Sequence, residues 1–371
     1  MDAFGADEKY SSISQRVAST YRRMLTAYCP ALPDGLTPVQ QAELTVSQEH
    51  LHAFFTALYD ALAAAPDGFG LPLGEDVSIV ADHDKDGPNK TDLKRILDRP
   101  RKLIEDGLEF LRSAALDGQL DGDMLRIDPQ APSLGYLKKK PGRAWLQGLG
   151  SIGTALNEAN GQYILTSTRF PRMMYALQLL SEACAGCENK ALGRVFFARC
   201  DLCALRQDFH VDIPGLYRSF PPKDFASAVE MHAFFTARSY QPQITLERMF
   251  GWDVKYQGKR SVKSTPLFQV SFDERMLHPM HAQIKCASAS RLLPLIPNQS
   301  QALQTDFHRR LFPCRDCSWC DNSKTLGPTE VVFQGQARKV CWYVNPDIET
   351  LDEATIALVK EYAALHEKLD A

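Results

Sequence analysis

No apolar run approaches the ~18 residues that a membrane-spanning helix needs, so the chain offers none. Its first residues, Met1-Asp2-Ala3-Phe4-Gly5-Ala6-Asp7-Glu8, are acidic, with no apolar run behind a basic start. Neither a secretory signal nor a transit peptide is expected, and the reading is cytoplasmic. Neither charge sign is in excess. The 42 Lys and Arg against 45 Asp and Glu leave a net of −3, which excludes a globally basic nucleic-acid binder but not a local basic patch. GxSxG, P-loop and HExxH motifs are missing, so the sequence supplies no nucleophile elbow, Walker-type phosphate cradle or zincin helix. Wholesale disorder is excluded as well, because 44% of the 371 residues are hydrophobic, enough for real cores.

What the chain does have is cysteine in clusters. Seven of its ten cysteines fall in CxxC-type spacings. In a reducing compartment such clusters are metal ligands or redox groups more often than disulfides. The sharper cluster is Cys314-Arg315-Asp316-Cys317-Ser318-Trp319-Cys320. Behind it, Val331-Val332-Phe333 and Lys339-Val340-Cys341-Trp342-Tyr343-Val344 flank Gln334-Gly335-Gln336, a hairpin pattern that carries Cys341 back toward the knuckle. Four thiolates from a tight turn and a returning strand make a zinc ribbon. A four-cysteine iron–sulfur cluster fits the same residues, although the ferredoxin run sets its fourth cysteine much sooner after the third. His308 is an alternative ligand. Four protein ligands leave no open position, so a zinc here is expected to be structural.

Cys184-Ala185-Gly186-Cys187 and Cys200-Asp201-Leu202-Cys203 make a second metal-type spacing. Their context competes with that reading. The first pair ends an apolar helix-like run, Met173 to Leu180, and the second continues a strand-like run, Val195-Phe196-Phe197. Cysteine is a common buried small hydrophobe. Cys29 and Cys286 stand alone.

Periodicity divides the chain in three. Residues 1–130 read mainly as helix: Ser14 to Leu25, then Val46 to Ala65 stopped by Pro66-Asp67-Gly68, then a stretch from Thr91 that Pro100 should kink or divide. Asp117 to Asp123 reads as a polar turn ahead of a short strand, Met124 to Ile127. Residues 131–225 read as mixed α+β, with strands at Tyr163–Thr166 and Val195–Phe197 around a helix through Leu180. Residues 226–371 read as a second α+β unit. It contains a helix at Ala226–Arg238, strands at Trp252–Tyr256 and Leu267–Phe272 about a Gln257-Gly258 turn, and a terminal helix. Thr350 and Glu353 suggest a capping box for that helix, and Leu351, Leu358, Tyr362, Leu365 and Leu369 give it a stripe to dock on the sheet. The hexapeptide His52 to Ala57 recurs as His232 to Ala237, a shared helix-core solution whose histidines are expected to be half-buried.

Weaker patterns remain. Asp82-His83-Asp84-Lys85-Asp86-Gly87 copies the opening of a calcium loop, but its twelfth position is Leu93 instead of Glu. His278-Pro279-Met280-His281 is an isolated HxxH. Gly148 to Gly153 contains GxGxxG without a clear βαβ context. Lys138-Lys139-Lys140-Pro141-Gly142-Arg143, between Tyr136 and Trp145, could meet a phosphate backbone and stack a base, though a solvated loop explains it too.

The C-terminal third, by Cys314, Cys317, Cys320, Cys341 and the Gln257-Gly258 and Gln334-Gly335 turns, resembles uncharacterised bacterial cytosolic proteins that carry a CxxCxxC…C knuckle before a terminal helix. The resemblance implies no activity, substrate or catalytic residue. The expectation is an α+β cytosolic protein that binds a ligand or partner and carries a structural zinc site. An iron–sulfur or thiol redox enzyme and a nucleic-acid binder are the alternatives.

Overall fold

The helical part starts from local signals. The Thr37 hydroxyl and the Gln40 side chain cap each other's backbone across a complete capping box, and Pro38 fills the first turn of the helix that follows. The computed structural model describes residues 12–72, 90–206, 213–218, 220, 222–247, 251–258, 267–272, 280–284, 289–313, 329–333, 336–344, 347–348 and 351–370. Its first helices are α1 (Ile13–Met24), α2 (Pro38–Ala64), α3 (Lys90–Asp117), α4 (Lys140–Ser151), α5 (Met173–Gly186) and α6 (Lys190–Ala198). Leu51, Phe54, Phe55, Leu58 and Leu62 recur at helical spacing on α2 and are fully buried. They meet α1 and α5, and Phe55 sets its ring edge-on to Phe197 of α6 at 5.5 Å.

Four antiparallel strands are interleaved with these helices: β1 (Gly118–Asp121), β2 (Met124–Ile127), β3 (Thr154–Ala159) and β4 (Gln162–Ser167). They are ordered β1-β2-β4-β3, so the sheet joins segments on either side of residue 130. The strand expected at Met124–Ile127 is present. The preceding segment is not simply a turn: Gly118–Asp121 pairs with it, and Gly122, at φ +58°, closes the hairpin.

The remaining helices are α7 (Ile213–Tyr217), α8 (Pro222–Ala237), α9 (Ala289–Leu292), α10 (Gln301–Arg310) and α11 (Glu353–Asp370). A five-stranded antiparallel sheet contains β5 (Gln241–Glu247), β6 (Gly251–Gln257), β7 (Phe268–Phe272), β8 (Met280–Ile284) and β12 (Asp347–Ile348), in the order β12-β8-β7-β6-β5. A three-stranded sheet contains β9 (Leu311–Pro313), β10 (Thr329–Phe333) and β11 (Gln336–Val344). On the larger sheet Trp252, Val254, Tyr256, Phe268 and Val270 form one buried apolar face, and Phe235 of α8 stacks on Tyr256 and Phe268. The class is α+β, and no described helix is long and apolar enough to cross a membrane.

Several local expectations need correcting. Val195–Phe197 is helix, not strand: Asn189 Oδ1 accepts from the Ala191 and Leu192 amides, and Leu192, Val195 and Phe196 then share one buried face. A three-residue apolar run cannot distinguish the two periods. Pro100 does not divide its helix, which runs through it and packs along α1. Among the described residues, the terminal helix packs on α8 and α10. Its first turn is capped by Asp352, which accepts from the Thr355 amide at 2.8 Å; Thr350 lies outside the described residues.

Two predictions follow from α3. A Cβ on Gly107 would sit 2.3 Å from the fully buried Trp145 ring. The helix-propensity gain of about 1 kcal/mol for Gly107→Ala is therefore outweighed by overpacking of roughly 1–3 kcal/mol or more. Urea denaturation should find the variant less stable, and a stabilised variant would refute the contact. Glu105, 3% exposed, has its carboxyl raised from 4.5 to about 7 by burial, against the opposing pull of Arg101 at 2.8 Å. The folded state holds a proton that the unfolded chain has already released. This contribution is therefore fully present below pH 4.5 and is lost as pH rises through about 7. Between pH 5 and pH 8 the wild type should lose roughly 2–3 kcal/mol relative to Glu105→Gln. Parallel stability–pH curves for the two proteins would contradict this.

Candidate functional site

The described backbone that flanks the C-terminal cysteines is the three-stranded sheet. Central strand β11 pairs with β10 through Thr329↔Val340 and with β9 through Pro313↔Val340. Val340 thus has, on one side, the last residue before Cys314 and, on the other, the first residue of β10. Cys341 is the next residue along β11. Cys314, Cys317 and Cys320 lie outside the described residues, and so does the side chain of Cys341. The expected hairpin is present, with Phe333 paired to Gln336. His308, the alternative ligand, sits in the last turn of α10, half-buried, and burial holds its imidazole below the usual range.

Three of the other four cysteines, Cys184, Cys200 and Cys203, lie near Asp201. Cys184 is buried on α5 and Cys187 ends that helix; Cys200 is buried at φ +48° just beyond α6, and Cys203 is half-buried in a short 3-10 turn, Leu202–Leu205. All four are free thiols. Burial raises the thiol pKa of each, and at Cys184 the neighbouring Cys187 adds to the effect. Among the described residues, no three His, Cys, Asp or Glu side chains converge in an arrangement that would hold a metal ion.

Sequence reasoning passed over the charges between these thiols. Arg199 is fully buried and donates to the Leu216 and Gly215 carbonyls, each at 3.2 Å. Its guanidinium lies 3.9 Å from Asp201, and Arg218 approaches the same carboxylate at 3.4 Å. Burial lowers the Arg199 pKa to about 10. Arg218 also donates to Cys203 Sγ at 3.0 Å, and the Thr26 amide and hydroxyl donate to the Arg199 carbonyl. This cluster ties the segment after α1 to the turn after α6 and to α7. The one local signal for it was Arg199 and Asp201 interrupting an apolar run, which a strand assignment hides.

A hydrogen-bonded aromatic chain continues from α7 into the larger sheet. The Tyr217 and Tyr256 hydroxyls are 2.7 Å apart, and His232 Nδ1 lies 3.0 Å from that of Tyr256. Tyr217 and Phe220 also meet Trp252. His232 and its repeat counterpart His52 are both half-buried on helices, as expected. His52 Nε2 lies 2.8 Å from the Thr26 carbonyl, so the shared hexapeptide serves a similar packing role twice.

The weaker motifs fare differently. Asp82 to Gly87 and His278 lie outside the described residues, and His281 is in β8. The GxGxxG spans the end of α4 and the turn into β3, a helix-to-strand order opposite to the strand-to-helix order of a dinucleotide site. Gly148 is small because Phe69 lies against it. Lys138, Lys139, Lys140 and Arg143 are exposed where α4 begins. The rings expected to stack a base are engaged elsewhere: Trp145 is fully buried, and Tyr136 stacks on Phe110 at 5.7 Å.

Replacing Arg199 by Met should cost roughly 3–5 kcal/mol, because it leaves the buried Asp201 short of a cation and takes one donor from each of two carbonyls. Chemical denaturation checks this, and a loss below ~1 kcal/mol would mean that the cluster does not hold these segments together.

Compared with known proteins, the chain matches no family model, no curated protein and no solved structure.

Proposed function

We propose that this is a cytoplasmic ligand- or partner-binding protein whose C-terminal unit is held together by a structural zinc ion on Cys314, Cys317, Cys320 and Cys341. The supporting observation is the double pairing of Val340. The chain departs for the three clustered cysteines from Pro313, on one side of Val340, and rejoins the sheet at Thr329, on the other. Its fourth cysteine is the residue after Val340. A loop tethered at both ends beside the fourth ligand has little closure entropy left to lose when a metal gathers it. Four thiolates complete a tetrahedral shell and leave no place for water or substrate, so the ion stabilises and the function is binding. The free thiols at Cys29, Cys184, Cys187, Cys200 and Cys203 suit a reducing compartment.

Protein purified without a metal-affinity column should contain about one zinc per chain, and Cys317→Ser should lose it together with ~5 °C or more of melting temperature. Unchanged metal content and melting in the variant would overturn the zinc reading. A brown protein with broad visible absorbance and bound iron would replace it with an iron–sulfur redox protein.

A further inference from the structure

The larger sheet has two sharply different faces. Its apolar side covers the core. On the other side, register aligns Thr245, Asp253, Ser271 and His281 in one row, and Gln243, Lys255, Gln269, Gln283 and Asp347 in the next. Every position in both rows is polar. The polar face of an antiparallel sheet normally meets water. Here Asp253, Gln269 and Ser271 are only 7%, 6% and 1% exposed. Along β5, by contrast, Gln243 and Thr245 are exposed, and Lys255 is half-buried between. The middle of the face is closed to solvent and its β5 margin is open.

The four central side chains form a square. Asp253 lies across from Ser271 and Lys255 across from Gln269, side-chain neighbours about 5 Å apart in such pairs. Lys255 Nζ is 3.4 Å from Asp253 Oδ2, so the two charges compensate each other. Gln269 Nε2 donates to Ser271 Oγ at 2.9 Å, which leaves the Ser271 hydroxyl hydrogen for donation. Gln269 Oε1 is buried and has no hydrogen-bond partner. An unsatisfied buried amide oxygen is costly, so it calls for a donor that a bound molecule would bring. Acceptors, Asp253 and Gln269 Oε1, occupy one diagonal of the square; donors, Lys255 and Ser271, occupy the other. The square as a whole carries no net charge, and it sets the donor hydrogen of Ser271 beside the unpartnered Gln269 Oε1. A hydroxyl group, which both donates and accepts, matches that pair.

We propose that the polar face centred on Asp253, Lys255, Gln269 and Ser271 is a binding site for a small uncharged polyhydroxy compound of the sugar class, entered from the β5 side. The proposal rests on the ligand-binding reading above and names its ligand class. The probes are glucose and myo-inositol, with glycine and inorganic phosphate as charged comparators, each titrated by saturation-transfer NMR into the full chain. Saturable binding of glucose or myo-inositol is expected, weakened about tenfold or more by Gln269→Leu and by Ser271→Ala, with neither comparator bound. Ser271→Ala tests the site independently if the first variant misfolds. The proposal is overturned if neither polyol binds, if binding ignores both substitutions, or if only glycine or phosphate binds. Zinc content of the same preparations separates that failure from failure of the structural-metal reading.

Discussion

Val340 stands between Pro313 and Thr329, and the interpretation of the C-terminal unit depends on that double pairing. A central strand bonded on both sides fixes where the intervening chain must leave and return. The backbone therefore gives residues 314–328 a short span to cover, with Cys341 next to their anchor. Gathering three clustered thiolates onto a fourth in a strand already fixed by hydrogen bonds costs much less ordering entropy than assembling four from an open chain. Sheet register and proposed ligand set support one another for that reason.

Elsewhere, burial of charge does comparable work. Arg199 has no access to water, so its guanidinium is tolerated only because Asp201, Gly215 and Leu216 surround it with acceptors. Those partners come from the turn after α6 and from α7, while Thr26 reaches the same turn from the end of α1. From α7 the Tyr217–Tyr256–His232 chain carries polar contact into the larger sheet. Burial favours the protonated form of the four thiols at Cys184, Cys187, Cys200 and Cys203, and Cys184 and Cys200 pack as small core side chains.

Signals that repeat over several turns or sit beside a turn glycine were legible in the sequence, and a bare three-residue apolar run was not. The apolar stripe of α2, the β10–β11 hairpin, the strand at Tyr163–Thr166 and the amphipathic terminal helix could all be read locally, because each repeats its pattern over many residues or turns on a glycine. Val195–Phe197 could not, because three apolar residues satisfy either period and the Asn189 cap decided between them. The partner of the terminal helix was also out of reach, since an apolar stripe specifies a burial face but not what covers it. Candidate sites divide in the same way. Cysteine spacing is local and visible. Tyr217 with Tyr256, Arg199 with Leu216, and the polar square on β6 and β7 are made by pairings between distant segments, which no window of sequence contains. The alternation in Leu267–Phe272 was visible; that its polar positions align with those of β6 depends on register.

X-ray absorption spectroscopy at the metal edge, on protein as purified from a reducing cytosol, tests the central claim most directly. Zinc surrounded by four sulfur scatterers at ~2.3 Å is the predicted result. A shell of nitrogen and oxygen without sulfur, or an iron edge with metal–metal scattering, would contradict it.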